Sequence, residues 1–78
     1  MRTVNIKLPT AEAVQEFVAQ ISGLSGQFDL LSGKYVLDAR SLMGIFSLDL
    51  LKPIDFIIHS EDESIVNAVI EDVKPWTI

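Results

Sequence analysis

The chain contains no cysteine, which excludes disulfides and thiolate metal sites while leaving the redox compartment open. A single histidine, His59, is the only nitrogen ligand of the kind transition metals favour, so no metal or cofactor site is expected. Basic residues are few: six Lys and Arg stand against eleven Asp and Glu, giving a net charge of −5. Without a basic cluster the chain cannot track a phosphate backbone or an anionic bilayer, so neither nucleic acid nor membrane is an expected partner. Long apolar runs are missing as well. Charge interrupts them every few residues, and Met1-Arg2-Thr3-Val4-Asn5 has no apolar signal region, so the chain reads as cytoplasmic. Gly and Pro together number only seven, against 49% hydrophobic residues, which argues for a folded globule. A chain of 78 residues fits one domain, residues 1–78, and at this size only about 60% of the unfolded surface is buried, so nearly every apolar segment must serve one core.

What is present is a clear alternation of periods. Val4, Ile6 and Leu8 alternate with Thr3, Asn5 and Lys7, a half-buried strand stopped by Pro9. Thr10 can cap a helix whose apolar residues Ala11, Val14, Phe17, Val18 and Ile21 recur at helical spacing, with Gly23 as its stop. Two short strands, 27–31 and 34–37, flank Ser32-Gly33, a pair suited to a tight hairpin turn. Ser41 precedes Leu42-Met43-Gly44-Ile45-Phe46, a helix of one to two turns. After the turn at Leu51-Lys52-Pro53, the run Ile54-Asp55-Phe56-Ile57-Ile58 is the strongest strand signal. Ser60 to Glu63 then supplies a cap and an acidic first turn for a last helix burying Ile65, Val66, Ala68, Val69 and Val73, which Pro75 ends. Trp76 is expected to fold back against the edge of the core.

The order β-α-β-β-α-β-α with short connections predicts an α+β fold, a four-stranded antiparallel sheet carrying three helices on one face, an open-faced sandwich. Phe17, Ile21, Ile57 and Val69 are the expected core anchors.

The stretch Val36-Leu37-Asp38-Ala39-Arg40-Ser41-Leu42-Met43-Gly44-Ile45-Phe46-Ser47-Leu48-Asp49-Leu50 resembles the HPr family of the bacterial sugar phosphotransferase system, including its catabolite-repression branch, Crh. There a basic residue, a regulatory Ser, a hydrophobic residue and Met-Gly are followed by two hydrophobic residues and Ser-Leu. The other elements fall where that fold places them, so the resemblance covers most of the chain. It implies that Ser41 matches the serine modified by HPr kinase/phosphorylase, and that the helix after it is a partner-binding face, here Arg40, Leu42, Met43, Ile45 and Phe46. The family's phosphorylatable His, with the Arg and Pro beyond it, maps to Thr10, Glu12 and Ala13, and the loop Lys7-Leu8-Pro9-Thr10 is several residues too short. No nitrogen nucleophile stands at Thr10, and Glu12 would repel an incoming phosphoryl anion.

These residues support a non-enzymatic, HPr-like regulatory or protein-binding module, with proteins of the phosphotransferase or catabolite-regulation systems as the implied partners. A degenerate phosphocarrier accepting a phosphoryl group from enzyme I through His59 or Thr10 is the competing reading, and an oligomer-forming domain that keeps only the fold is a third. Ser41 is open to two roles, a plain helix cap and a phosphorylation site at a helix N-terminus with Arg40 beside it. Likewise Leu42 to Phe46 read either as core or as an exposed docking patch, because they outnumber what a short helix can bury on one side. His59 reads as an ordinary strand-end histidine, and Asp38, Asp49 and Glu61-Asp62-Glu63 as solvated caps.

Overall fold

A computed structural model describes all residues, 1–78. Alternating apolar residues produce four strands, β1 (Arg2–Ile6), β2 (Gln27–Ser32), β3 (Tyr35–Asp38) and β4 (Ile54–His59), and the helical spacings produce α1 (Ala11–Ser22), α2 (Leu42–Phe46) and α3 (Glu63–Asp72). A 3₁₀ turn, Lys74–Trp76, follows. The sheet is antiparallel throughout, in the order β1-β4-β2-β3. One face of it, built from Ile6, Phe28, Leu30, Ile54, Phe56 and Ile58, is buried in the same cluster as Val14, Phe17, Ile21, Ile45, Val66, Val69 and Val73 from the three helices and the end of α3. The helices therefore share one side and the other stays open, which is the expected open-faced α+β sandwich.

Each helix begins where a short polar side chain can accept from an otherwise orphaned amide. The Thr10 hydroxyl accepts from Ala13 N–H at 3.0 Å, and that of Ser41 from Gly44 N–H at 3.3 Å. At α3 the cap is Asp62, and Ser60, two residues earlier, accepts from Asp62 N–H with its hydroxyl. Hydrogen bonds from the Ser64 hydroxyl and backbone hold the Asp62 carboxyl below the ordinary aspartate value.

Four expectations need correction. Ile57 is not core: Ile54, Phe56 and Ile58 take the buried parity of β4, and Ile57 lies half-buried on the open face between Asp55 and His59. In α3, Val66, Val69 and Val73 are buried, whereas Ile65 (46% exposed) and Ala68 lie outside, since a stripe at i, i+3 and i+7 already fills the contact with the sheet. Ala11 of α1 is likewise exposed. The hairpin turn is Gly33-Lys34, one residue later than the sequence suggests, with Ser32 and Tyr35 as the closing pair. Gly33 has φ +59° while Lys34 stays at negative φ, the arrangement that places Gly first in a II′ turn.

The tail returns to the sheet. Lys7 N–H donates to the Trp76 carbonyl at 2.9 Å, Ile78 N–H donates to the Asn5 carbonyl at 3.1 Å, and Thr77 bridges Ile6, so the outer edge of β1 is covered at its Asn5–Ile6 end. Trp76, half-buried, meets Phe17 edge-on at 5.5 Å, as Phe17 meets Phe56. The fold-back expected of Trp76 is thus observed. No helix is long and apolar enough to cross a membrane.

Candidate functional site

The segment from Arg40 to Phe46 is built around two anchors. Ile45 is fully buried and fastens α2 to the core, so it is not part of an accessible partner face. Arg40 is the second anchor. Its guanidinium donates to the Leu24 carbonyl at 2.8 Å and lies 4.9 Å from the centre of the Phe28 ring, a cation–π contact that ties the entry of α2 to the loop after α1. Already engaged there, Arg40 is not aimed at the Ser41 hydroxyl, and the expected pairing with a phosphate at Ser41 is not preformed. Leu42 is half-buried against the core.

The remaining two residues of the stretch behave differently. Met43 is 82% exposed and Phe46 is 39% exposed, and their i, i+3 spacing puts them side by side on the outer face of α2. Ser41 sits at the start of the same helix, half-buried, its oxygen held by the cap. Gly44 packs so closely beneath it that a Cβ there would lie 2.8 Å from the Ser41 hydroxyl oxygen. Ser41, Met43 and Phe46 are thus brought to one short element, with Ile45 behind them.

Thr10 stands at the start of α1, exposed, with its oxygen accepting from Ala13 N–H and Glu12 in the first turn. His59 lies at the end of β4 on the open face, where its Nε2 meets Asp29 Oδ2 at 2.8 Å. Thirty residues separate the two in sequence, and only the β2–β4 register brings them together. No spacing rule could have found that pair. It has a physical origin: Asp29 stands directly opposite Asp38 across β2 and β3, a like-charge pair that each partner offsets locally. Asp29 meets His59, and Asp38 accepts from Arg40 N–H at 2.8 Å. On the same face Asn5 donates to Asp55 from the neighbouring strand. Those contacts are cross-strand pairs typical of a solvated sheet, and no group of three or more His, Asp or Glu assembles into a metal-ligand set.

The features missed by sequence reading lie at β3, an edge strand that the tail does not reach. Tyr35 and Val36 are 69% and 64% exposed there. Their β-prone, aromatic and branched character was visible in the sequence, but which strand would be outermost was not.

The fold and the α2 surface define an open-faced α+β sandwich that presents a small apolar patch beside a helix-capping serine. Comparison with protein-family models, with curated proteins and with solved structures gave no match.

Proposed function

We propose that the chain is an HPr-like, non-catalytic regulatory module that binds another protein through the outer face of α2. The observation that carries this reading is the exposure of Met43 and Phe46 together, on a helix whose only deeply buried side chain is Ile45. A free-standing helix end has no packing reason to place Met and Phe toward water, whereas a docking face does, and Met adapts to partners of varied shape. The open-faced sandwich, its element order and the placement of Ser41-Leu42-Met43-Gly44 at the start of α2 support the HPr-like part of the reading.

Ser41 is the regulatory position in this reading. Phosphate added to its hydroxyl would displace the Gly44 N–H from its present acceptor and place negative charge beside the apolar pair, so modification would weaken docking through charge and desolvation. The phosphocarrier alternative finds little in the geometry to favour it. The Thr10 oxygen is engaged as a cap beside Glu12, and His59 has its Nε2 on Asp29, whose carboxylate would repel an incoming phosphoryl anion.

Incubation with HPr kinase and ATP, read by intact mass, is the test. We expect a single phosphate that disappears in Ser41→Ala, and no phosphoryl transfer from phosphoenolpyruvate through enzyme I. Label from enzyme I that is lost in His59→Asn would replace this reading with the phosphocarrier one. Recovery of the same cellular proteins by wild type, Ser41→Asp and Phe46→Ala in equal amounts would place the working surface elsewhere.

A further inference from the structure

The two edges of the sheet are treated differently. The outer edge of β1 is covered by Trp76 to Ile78 over Asn5 to Lys7, whereas along the outer edge of β3 only the Asp38 carbonyl is met, by the Ser41 amide. Which backbone groups β3 leaves free follows from its hairpin. A two-residue loop closes on a hydrogen-bonded pair, here Ser32 and Tyr35, so the bonded residues of β3 are Tyr35 and Leu37, and Ala39 continues the series by donating to the Phe28 carbonyl at 3.0 Å. Val36 and Asp38 therefore turn their N–H groups outward. The Asp38 carbonyl already accepts from Ser41 N–H at 2.9 Å, but the Val36 N–H and carbonyl have no partner within the chain.

We propose that this edge pairs with the β3 edge of a second copy of the chain, antiparallel about a two-fold axis at Val36, to give a continuous eight-stranded sheet. Several registers satisfy backbone groups in the abstract, and charge selects among them. With Val36 opposite Val36 of the second copy, the two residues exchange two N–H···O=C bonds. Lys34 then lies opposite Asp38 of the second copy, and Asp38 opposite its Lys34, giving two cross-strand ion pairs on the open face. Lys34 makes no ion pair within its own chain. On the helix face the exposed Tyr35 ring covers the half-buried Leu37 of the second copy, and by symmetry the reverse. Moving the register by two residues in either direction removes both ion pairs. An exposed lysine normally protects a short edge strand from pairing, and this register is the one in which its charge is met. The occupant is another copy because the edge is complementary to itself. Four residues on each side make a small interface, so the dimer belongs to the weak, exchanging class. Neither Met43 nor Phe46 takes part.

The test uses the native absence of cysteine. Val36→Cys introduces one thiol on the axis, where hydrogen-bonded antiparallel partners stand roughly 5.5 Å apart between Cα atoms, within the range a disulfide spans. Tyr35→Cys, equally exposed, would face residue 37 and serves as the register control. We expect sedimentation to show a concentration-dependent approach to twice the 8.6 kDa chain mass. Under mild oxidation Val36→Cys should cross-link much faster than Tyr35→Cys. Lys34→Glu, in an exposed turn and checked for native circular dichroism, should weaken the dimer by about tenfold, because two attractive pairs become repulsive. A chain that stays monomeric at the highest attainable concentration would overturn the proposal. So would equal cross-linking at positions 35 and 36, or a dimer indifferent to Lys34→Glu.

Discussion

Gly44 is the residue on which the geometry of α2 turns. Glycine in a helix costs about 1 kcal/mol relative to alanine, so a Gly→Ala change would ordinarily stabilise. Here the added methyl would stand 2.8 Å from the Ser41 hydroxyl oxygen and 3.4 Å from Leu37 Cδ1, and the hydroxyl would have to leave its capping position. Losing a serine cap costs about 1 kcal/mol, which offsets the propensity gain, while Leu37 stands at ordinary contact distance. Gly44→Ala is therefore expected to be close to neutral in wild type, and stabilising in a Ser41→Ala background. A double-mutant cycle by urea unfolding measures this coupling, and additive effects would mean the two side chains do not interfere.

At the scale of elements, the parity of β4 decides which isoleucines matter. Phe17, fully buried and in edge contact with both Phe56 and Trp76, joins α1 to the sheet and to the tail. Phe17→Ala should cost about 3–5 kcal/mol, enough to unfold a domain of this size, and Phe17→Leu provides a milder variant that stays folded. Ile57, one position off the buried parity, should lose only about 1 kcal/mol on truncation to alanine. Equal urea midpoints for Phe17→Leu and Ile57→Ala would contradict this difference.

The order and type of the elements were legible because each apolar segment has one dominant period, and the caps Thr10 and Ser41 stand where those periods begin. Ile57 was misread because two isoleucines are adjacent, so hydrophobicity alone does not choose between them. The polar residues did hold the answer: Asp55 and His59 share the parity of Ile57, and their charge marks the solvated side. Around α2 the sequence showed that the apolar residues exceeded one face, but not which would turn inward. The inward position of Ile45 and the engagement of Arg40 with Leu24 and Phe28 both depend on where the loop after α1 passes, a long-range arrangement that local spacing does not encode.

For the molecule as a whole, the last turn works as a clasp. Trp76 holds it to Phe17, and the backbone of Trp76 and Ile78 bonds along β1. Trp76→Ala should cost about 2 kcal/mol, less than a fully buried aromatic because the ring is half-exposed, and should release the Lys7 amide for hydrogen exchange ahead of the β2–β4 amides. Uniform exchange across the sheet would show that the clasp unfolds only with the rest. That clasp also limits the valence of the sheet. With Asn5 to Lys7 occupied by its own chain, β1 offers an added strand only Arg2 to Val4, so the proposed pairing through β3 has little edge along which to propagate. Freed of the tail, the same chain would offer β1 along its whole length, so the five residues from Lys74 to Ile78 bias strand pairing toward a closed pair and away from a fibre.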